Sequence, residues 1–142
     1  MPEARSSTRH LLLHFENVVY LFPEASNVTV TLTAGGVANT FGAWAEITDS
    51  GATTLSSKFA TLEGYLSEIM VSDYSVANEV WLIEIAYGAA KTVIGRCAVR
   101  SDWTWVVELL SRSVPPGEPV YYRAMSETAG ATCKARFRYY YL

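Results

Sequence analysis

Few residues in this 142-residue chain have the types and spacing that metal or acid–base chemistry needs. His10 and His14 are four apart and share a face on a helix or a strand alike, a spacing that holds a metal ion once a third ligand joins. Glu16 is the only nearby candidate, and an exposed pair in an N-terminal arm is the simpler reading, so no metal site is expected. Nucleophilic catalysis finds no constellation either. There is no Gly-x-Ser-x-Gly elbow, and both histidines lie near one end rather than on a rigid scaffold. Glu79 with Glu84, and Glu46 with Asp49, read as ordinary solvent-facing charges. Gly35-Gly36 continues as Val37-Ala38-Asn39, without the lysine or helix start of a phosphate-binding loop. Asn27-Val28-Thr29 fits a glycosylation sequon and reads more simply as the start of a strand. No catalytic residue, metal ligand or cofactor site is assigned, and the chain reads as a non-enzyme.

One pattern stands out. Near the C-terminus Lys134, Arg136 and Arg138 alternate with Ala135, Phe137 and Tyr139, which on a strand puts three cations on one face and apolar groups on the other. Two readings are open. The strip is a contact surface for an acidic partner or for nucleic acid, an acidic protein patch being favoured over DNA, with Tyr139, Tyr140 and Tyr141 adding stacking area, or it is the solvated face of a sandwich strand. Tyr121, Tyr122, Tyr139, Tyr140 and Tyr141 cannot all point inwards, because neighbours on a strand alternate. Exposed tyrosines beside arginine are residue types enriched at protein–protein interfaces, which tilts the reading towards assembly.

The elements that would position these residues are strands. From Asn27, Val28, Val30 and Leu32 alternate with Thr29, Thr31 and Thr33 until Gly35-Gly36 ends the run. A strand-like stretch at 41–48 carries Trp44 and closes on Asp49-Ser50-Gly51. Segment 53–63 is ambiguous, since Leu55, Phe59 and Leu62 fall at helical spacing. Strands are then expected at 65–72, 80–87, 92–99, 103–110, from Pro119 through Ala124, and at 132–142. Gly88, Val114-Pro115-Pro116-Gly117 and Ala129-Gly130 supply the turns between them. Trp103, Trp105 and Val107 share a strand face and read as core. Residues 1–10 read as a flexible arm, and 9–22 fit a short helix, a strand or an extended segment lying on a partner. The organisation is therefore an arm or docking segment over 1–26 and one domain over 27–142. Turn signals every ~8–12 residues and no βαβ alternation give an all-β fold, an antiparallel β-sandwich resembling a jelly roll, with an N-terminal arm.

Composition sets the outer limits. Half the residues are apolar and 18% are charged, which excludes a disordered tail, and the 13% aromatic share suits a β-domain. A net charge of −3 argues against a whole-surface grip on nucleic acid, and no apolar run is long enough for a membrane span. The N-terminus lacks the features of a signal peptide, so secretion is not expected. Cys97 and Cys133 lie in strand-like runs and read as small buried hydrophobes; a bridge between neighbouring strands is the alternative and needs an oxidising compartment.

Three segments carry a resemblance. Gly42-Ala43-Trp44-Ala45-Glu46-Ile47, then Trp81 through Ala90 (with Glu84-Ile85-Ala86-Tyr87-Gly88-Ala89-Ala90), then Val114-Pro115-Pro116-Gly117 through Arg123, are similar to small jelly-roll proteins of tailed bacteriophage virions. In that family a GxW strand is followed by an EIGxGAA strand and turn, then by an IPxG turn leading into an xxAR strand. The match covers residues 42–142, and its motifs are turn and strand signatures that bring no active site with them. The resemblance implies a virion structural protein that decorates and stabilises a capsid by binding the lattice of the major capsid protein, or another virion protein. It also implies a homo-oligomer, with a trimer favoured, on the capsid surface after synthesis in the host cytoplasm. A tail or baseplate appendage engaged in host attachment is the alternative.

Overall fold

The structure is a computed structural model, and it describes residues 18–142. Among the described residues nine strands follow one another: β1 (Tyr20–Phe22), β2 (Val30–Thr33), β3 (Ala45–Glu46), β4 (Gly64–Ser72), β5 (Val80–Tyr87), β6 (Thr92–Arg100), β7 (Trp105–Glu108), β8 (Val120–Ser126) and β9 (Thr132–Tyr141). They form two antiparallel sheets packed face to face. The first has the order β1-β9-β4-β7, with β2 also paired to β9; the second has the order β3-β8-β5-β6. With β1 and β2 taken as one interrupted strand, the pairing runs first with eighth, second with seventh, third with sixth and fourth with fifth. That is a long hairpin wound around a core, the jelly-roll arrangement of an antiparallel sandwich.

Strand alternation builds the core. Val30 and Leu32 of β2, Ile69 and Val71 of β4, Trp81, Ile83 and Ile85 of β5, and Ala135 and Phe137 of β9 are all buried between the sheets. The turns fall where sequence places them. Gly88 and Gly117 adopt left-handed backbone, with φ of 76° and 78°, where a side chain would be strained. Cys97 and Cys133 are buried free thiols, as their strand settings predict. Burial pushes the Cys97 thiol up to about 11 and the Cys133 thiol up to about 12.

Several expectations change. The ambiguous stretch forms a single 3₁₀ turn, Leu55–Phe59, capped by Thr54, whose hydroxyl accepts from the Ser57 amide. Leu55 and Phe59 are buried, whereas Leu62 lies past the turn and is exposed. The strand expected at 41–48 contracts to Ala45–Glu46. Within 9–22, Tyr20–Phe22 is a strand paired with β9, and Phe22 is buried, so the first sheet begins before residue 27. The arm expected over residues 1–10 and the rest of the docking segment as far as residue 17 lie outside the described residues.

The largest change concerns the tryptophans. Trp105 and Val107 pair with Val71 and Ile69, so they do lie on the face that looks into the sandwich. Yet β7 is the outermost strand of its sheet among the described residues, and the strand that faces it, β6, is itself the margin of the other sheet. Trp105 stays partly exposed, with its indole N–H donating to the Arg100 carbonyl at 2.7 Å, and Trp103 is 68% exposed. The face was legible from alternation; burial failed because the strand sits at a sheet margin.

Candidate functional site

The cation strip on β9 has the predicted alternation, but its charges are largely engaged. β9 is an interior strand, flanked by β4 on one side and by β1 and β2 on the other. Arg136 reaches over β2 to the chain before it: Nη1 donates to the Pro23 carbonyl at 2.5 Å, and Nη2 to those of Ala25, Ser26 and Val28 at 3.2, 3.1 and 3.0 Å. Lys134 donates to the Thr31 hydroxyl, and Arg138 lies 3.6 Å from the Glu68 carboxylate. Arg136 is thus a buckle that fastens residues 23–28 to the sheet. Tyr139 and Tyr141 are on the opposite face, because they are odd-numbered like Ala135 and Phe137. Tyr139 is buried among Tyr20, Phe59 and Tyr141, and the Tyr141 hydroxyl donates to the Lys58 carbonyl. They add no stacking surface beside the cations. Tyr140, stacked on Tyr65, takes that place.

A more organised constellation lies on the outer face of the second sheet. Antiparallel register places Arg123 of β8 and Arg96 of β6 directly opposite Glu84 of β5, one on each side. Arg96 Nε donates to one Glu84 carboxylate oxygen at 2.5 Å, and Arg123 Nε donates to the other at 2.7 Å. The row extends to Trp44, just before β3, whose ring the Arg123 guanidinium covers at 4.6 Å; Phe41 takes the same guanidinium at 4.5 Å. Glu84 is therefore buried, not solvent-facing. Burial raises its pKa, but the hydrogen bonds and charges of Arg123 and Arg96 outweigh it and hold the carboxyl below its ordinary value. Beside the row a shallow groove of about 380 Å³ is lined by Phe41, Leu82, Glu84, Arg96 and Ala98.

The other carboxylates have local work. Asp49 accepts from the amides of Gly51 and Thr53 and closes the turn before the 3₁₀ helix. Glu46 accepts from the Ser56 hydroxyl. Glu79 accepts from the hydroxyls of Thr128 and Ser126, and these bonds lower its pKa. Among the described residues no group of three or more His, Cys, Asp or Glu is placed to hold a metal ion. His10, His14 and Glu16 lie outside those residues.

No family model matches the chain, and no curated protein does. Segments 42–47, 81–90 and 114–123 meet in space. They form β3, β5 and β8, adjacent strands of one sheet, and their Trp44, Glu84 and Arg123 are consecutive members of the row just described. Separate turn-and-strand signatures in sequence are thus one cross-strand ladder in the fold. Sequence reading missed it because Trp44, Glu84 and Arg123 are far apart along the chain; the available signal was that Glu84 and Arg123 each sit at an outward-facing position of a strand.

At the opposite margin of the first sheet, β7 and its flanks expose Trp103, Trp105, Val106 and Leu110, the last 89% exposed.

Proposed function

We propose that this chain is a virion structural protein that binds the lattice of a bacteriophage capsid and stabilises it. One observation carries the reading. The β7 strand, at the edge of its sheet among the described residues, presents Trp105 and Val106 to solvent, with Trp103 and Leu110 on its flanks, a combination that calls for a protein surface over it. Aromatic anchors of this kind dominate binding energy where partners meet. The resemblance of the β3, β5 and β8 segments to virion jelly rolls supports the setting. A trimer follows naturally if the β7 margin of one copy packs on a different surface of the next, since such heterologous contacts close into rings. A protein that binds only the assembled shell stabilises it by mass action.

The tail or baseplate appendage reading calls for a deep pocket of aromatics and carboxylates. The groove beside Phe41 is shallow and its one carboxylate is engaged by two arginines, which favours the capsid reading. Sedimentation of the purified protein, alone and with undecorated capsids, tests it. Co-sedimentation that falls by about tenfold in affinity in a Trp103→Ser/Trp105→Ser variant of unchanged stability is expected. Wild-type protein that stays in the supernatant overturns the proposal and moves the weight to the appendage.

A further inference from the structure

The Trp44–Arg123–Glu84–Arg96 row ends on a cation at the margin of its sheet, because among the described residues β6 has no strand beyond it. Two guanidinium groups share one carboxylate, so the row carries one positive charge in excess within a chain of net charge −3. Arg96 spends only its Nε on Glu84, and its two terminal nitrogens meet no acceptor among the described residues. Its side chain is 72% exposed while that of Glu84 behind it is 7% exposed. Arg123 is held by Glu84, Phe41 and Trp44 together, so the ladder is stiff up to its last member. Along the groove next to Arg96 the side chains of Phe41, Leu82 and Ala98 are apolar.

We infer that this groove receives an acidic side chain of a protein partner, with Arg96 taking the carboxylate and an apolar residue beside it lying on Leu82 and Ala98. The inference rests on the reading of the chain as a lattice-binding protein and supplies the chemistry of one contact. Opposite charges placed across neighbouring strands attract, so a row of alternating sign that stops at Arg96 is continued by a carboxylate. The guanidinium fork offers two parallel donors to a carboxylate, and its anchorage on Glu84 removes part of the ordering cost of binding. At about 380 Å³ the groove is near the low end of the size of small-molecule sites, and it lies open on a sheet face. Such a shape fits a side chain presented by a partner better than an enclosed ligand.

The experiment titrates isotope-labelled protein with two capped pentapeptides that differ only in a central glutamate or glutamine between phenylalanine and leucine. The glutamate peptide is expected to shift the Arg96 Nε–H and the Leu82 and Ala98 amides, and the glutamine peptide to bind about tenfold more weakly. Arg96→Gln should abolish that difference. Ala98→Phe, which fills the groove and leaves the ladder intact, should abolish binding of both. Equal affinity for the two peptides, shifts confined to another surface, or unchanged binding by Ala98→Phe overturns the inference. Co-sedimentation of the same variants with undecorated capsids separates the two readings. If wild type and both variants bind shells equally, this contact is wrong and lattice binding stands. If the glutamate peptide binds as described but no shell does, the lattice reading fails and the site stands.

Discussion

Replacing Arg136 by alanine removes four hydrogen bonds that tie the carbonyls of residues 23–28 to the middle of the first sheet. The magnitude follows from their setting. The bonds to Ala25 and Ser26 are solvent-exposed, and water replaces them at almost no net cost. Those to Pro23 and Val28 are partly buried, and hydrogen bonds to a charged group are each worth about 1.5 kcal/mol at the lower end of their range. The expected loss is therefore about 3 kcal/mol, equivalent to roughly 6–12 °C in Tm for a domain of this size. Arg136→Lys keeps the charge but presents one ammonium in place of a planar fork, so it should recover about half of the loss. Denaturant unfolding measures both variants, and hydrogen exchange of residues 24–28 reports the local release. An Arg136→Ala protein within about 0.5 kcal/mol of wild type, with unchanged protection of that segment, refutes the buckle. The same geometry determines how the β9 strip is tested as a contact surface. Substituting Lys134 and Arg138 alone probes the surface, whereas including Arg136 also loosens the fold.

Glu84 should make stability pH-dependent. Its folded-state pKa is depressed, so its contribution is complete above the unfolded value of about 4.3 and is lost as pH falls through the folded-state value. Wild type should exceed Glu84→Gln by about 2 kcal/mol at neutral pH, with the gap closing in acid; a gap independent of pH contradicts the assignment. Gly35 and Gly36 make a paired test of close approach. A Cβ on Gly35 would lie 2.7 Å from the Gly42 amide nitrogen, while one on Gly36 meets nothing within 4 Å. Gly35→Ala should cost about 2 kcal/mol or more and Gly36→Ala less than about 0.5 kcal/mol in chemical denaturation, and equal effects would deny the crowding. Cys97 and Cys133, with thiols pushed to about 11 and about 12, should resist alkylation at pH 8 until the protein unfolds. Labelling in native buffer at the rate of a free thiol would show that they are accessible.

Alternation made the fold class legible. Val30 and Leu32, Trp81 with Ile83 and Ile85, and Ala135 with Phe137 all occupy the faces their period of two assigns. The turns at Gly88 and Gly117 were legible for a different reason, because left-handed backbone favours glycine at those points. The site was less so. The cations of β9 were found as a pattern, yet nothing local shows that Arg136 would meet carbonyls 108–113 residues away in sequence. Glu84 read as a surface charge because its two arginine partners lie 12 and 39 residues further along.

What the sequence determines by itself is which side of each strand is apolar and where the chain turns, since both depend on neighbours within a few residues. What the tertiary structure decides is which strands are interior and which lie at a margin. That choice buries Trp81 and leaves Trp105 partly in solvent, although both face inwards from their sheets. It also gathers Trp44, Glu84, Arg96 and Arg123 into one row, because register between strands depends on pairing across the whole fold. Burial and charge pairing at a site are sums over such non-local neighbours, and alternation along a single strand carries no record of them.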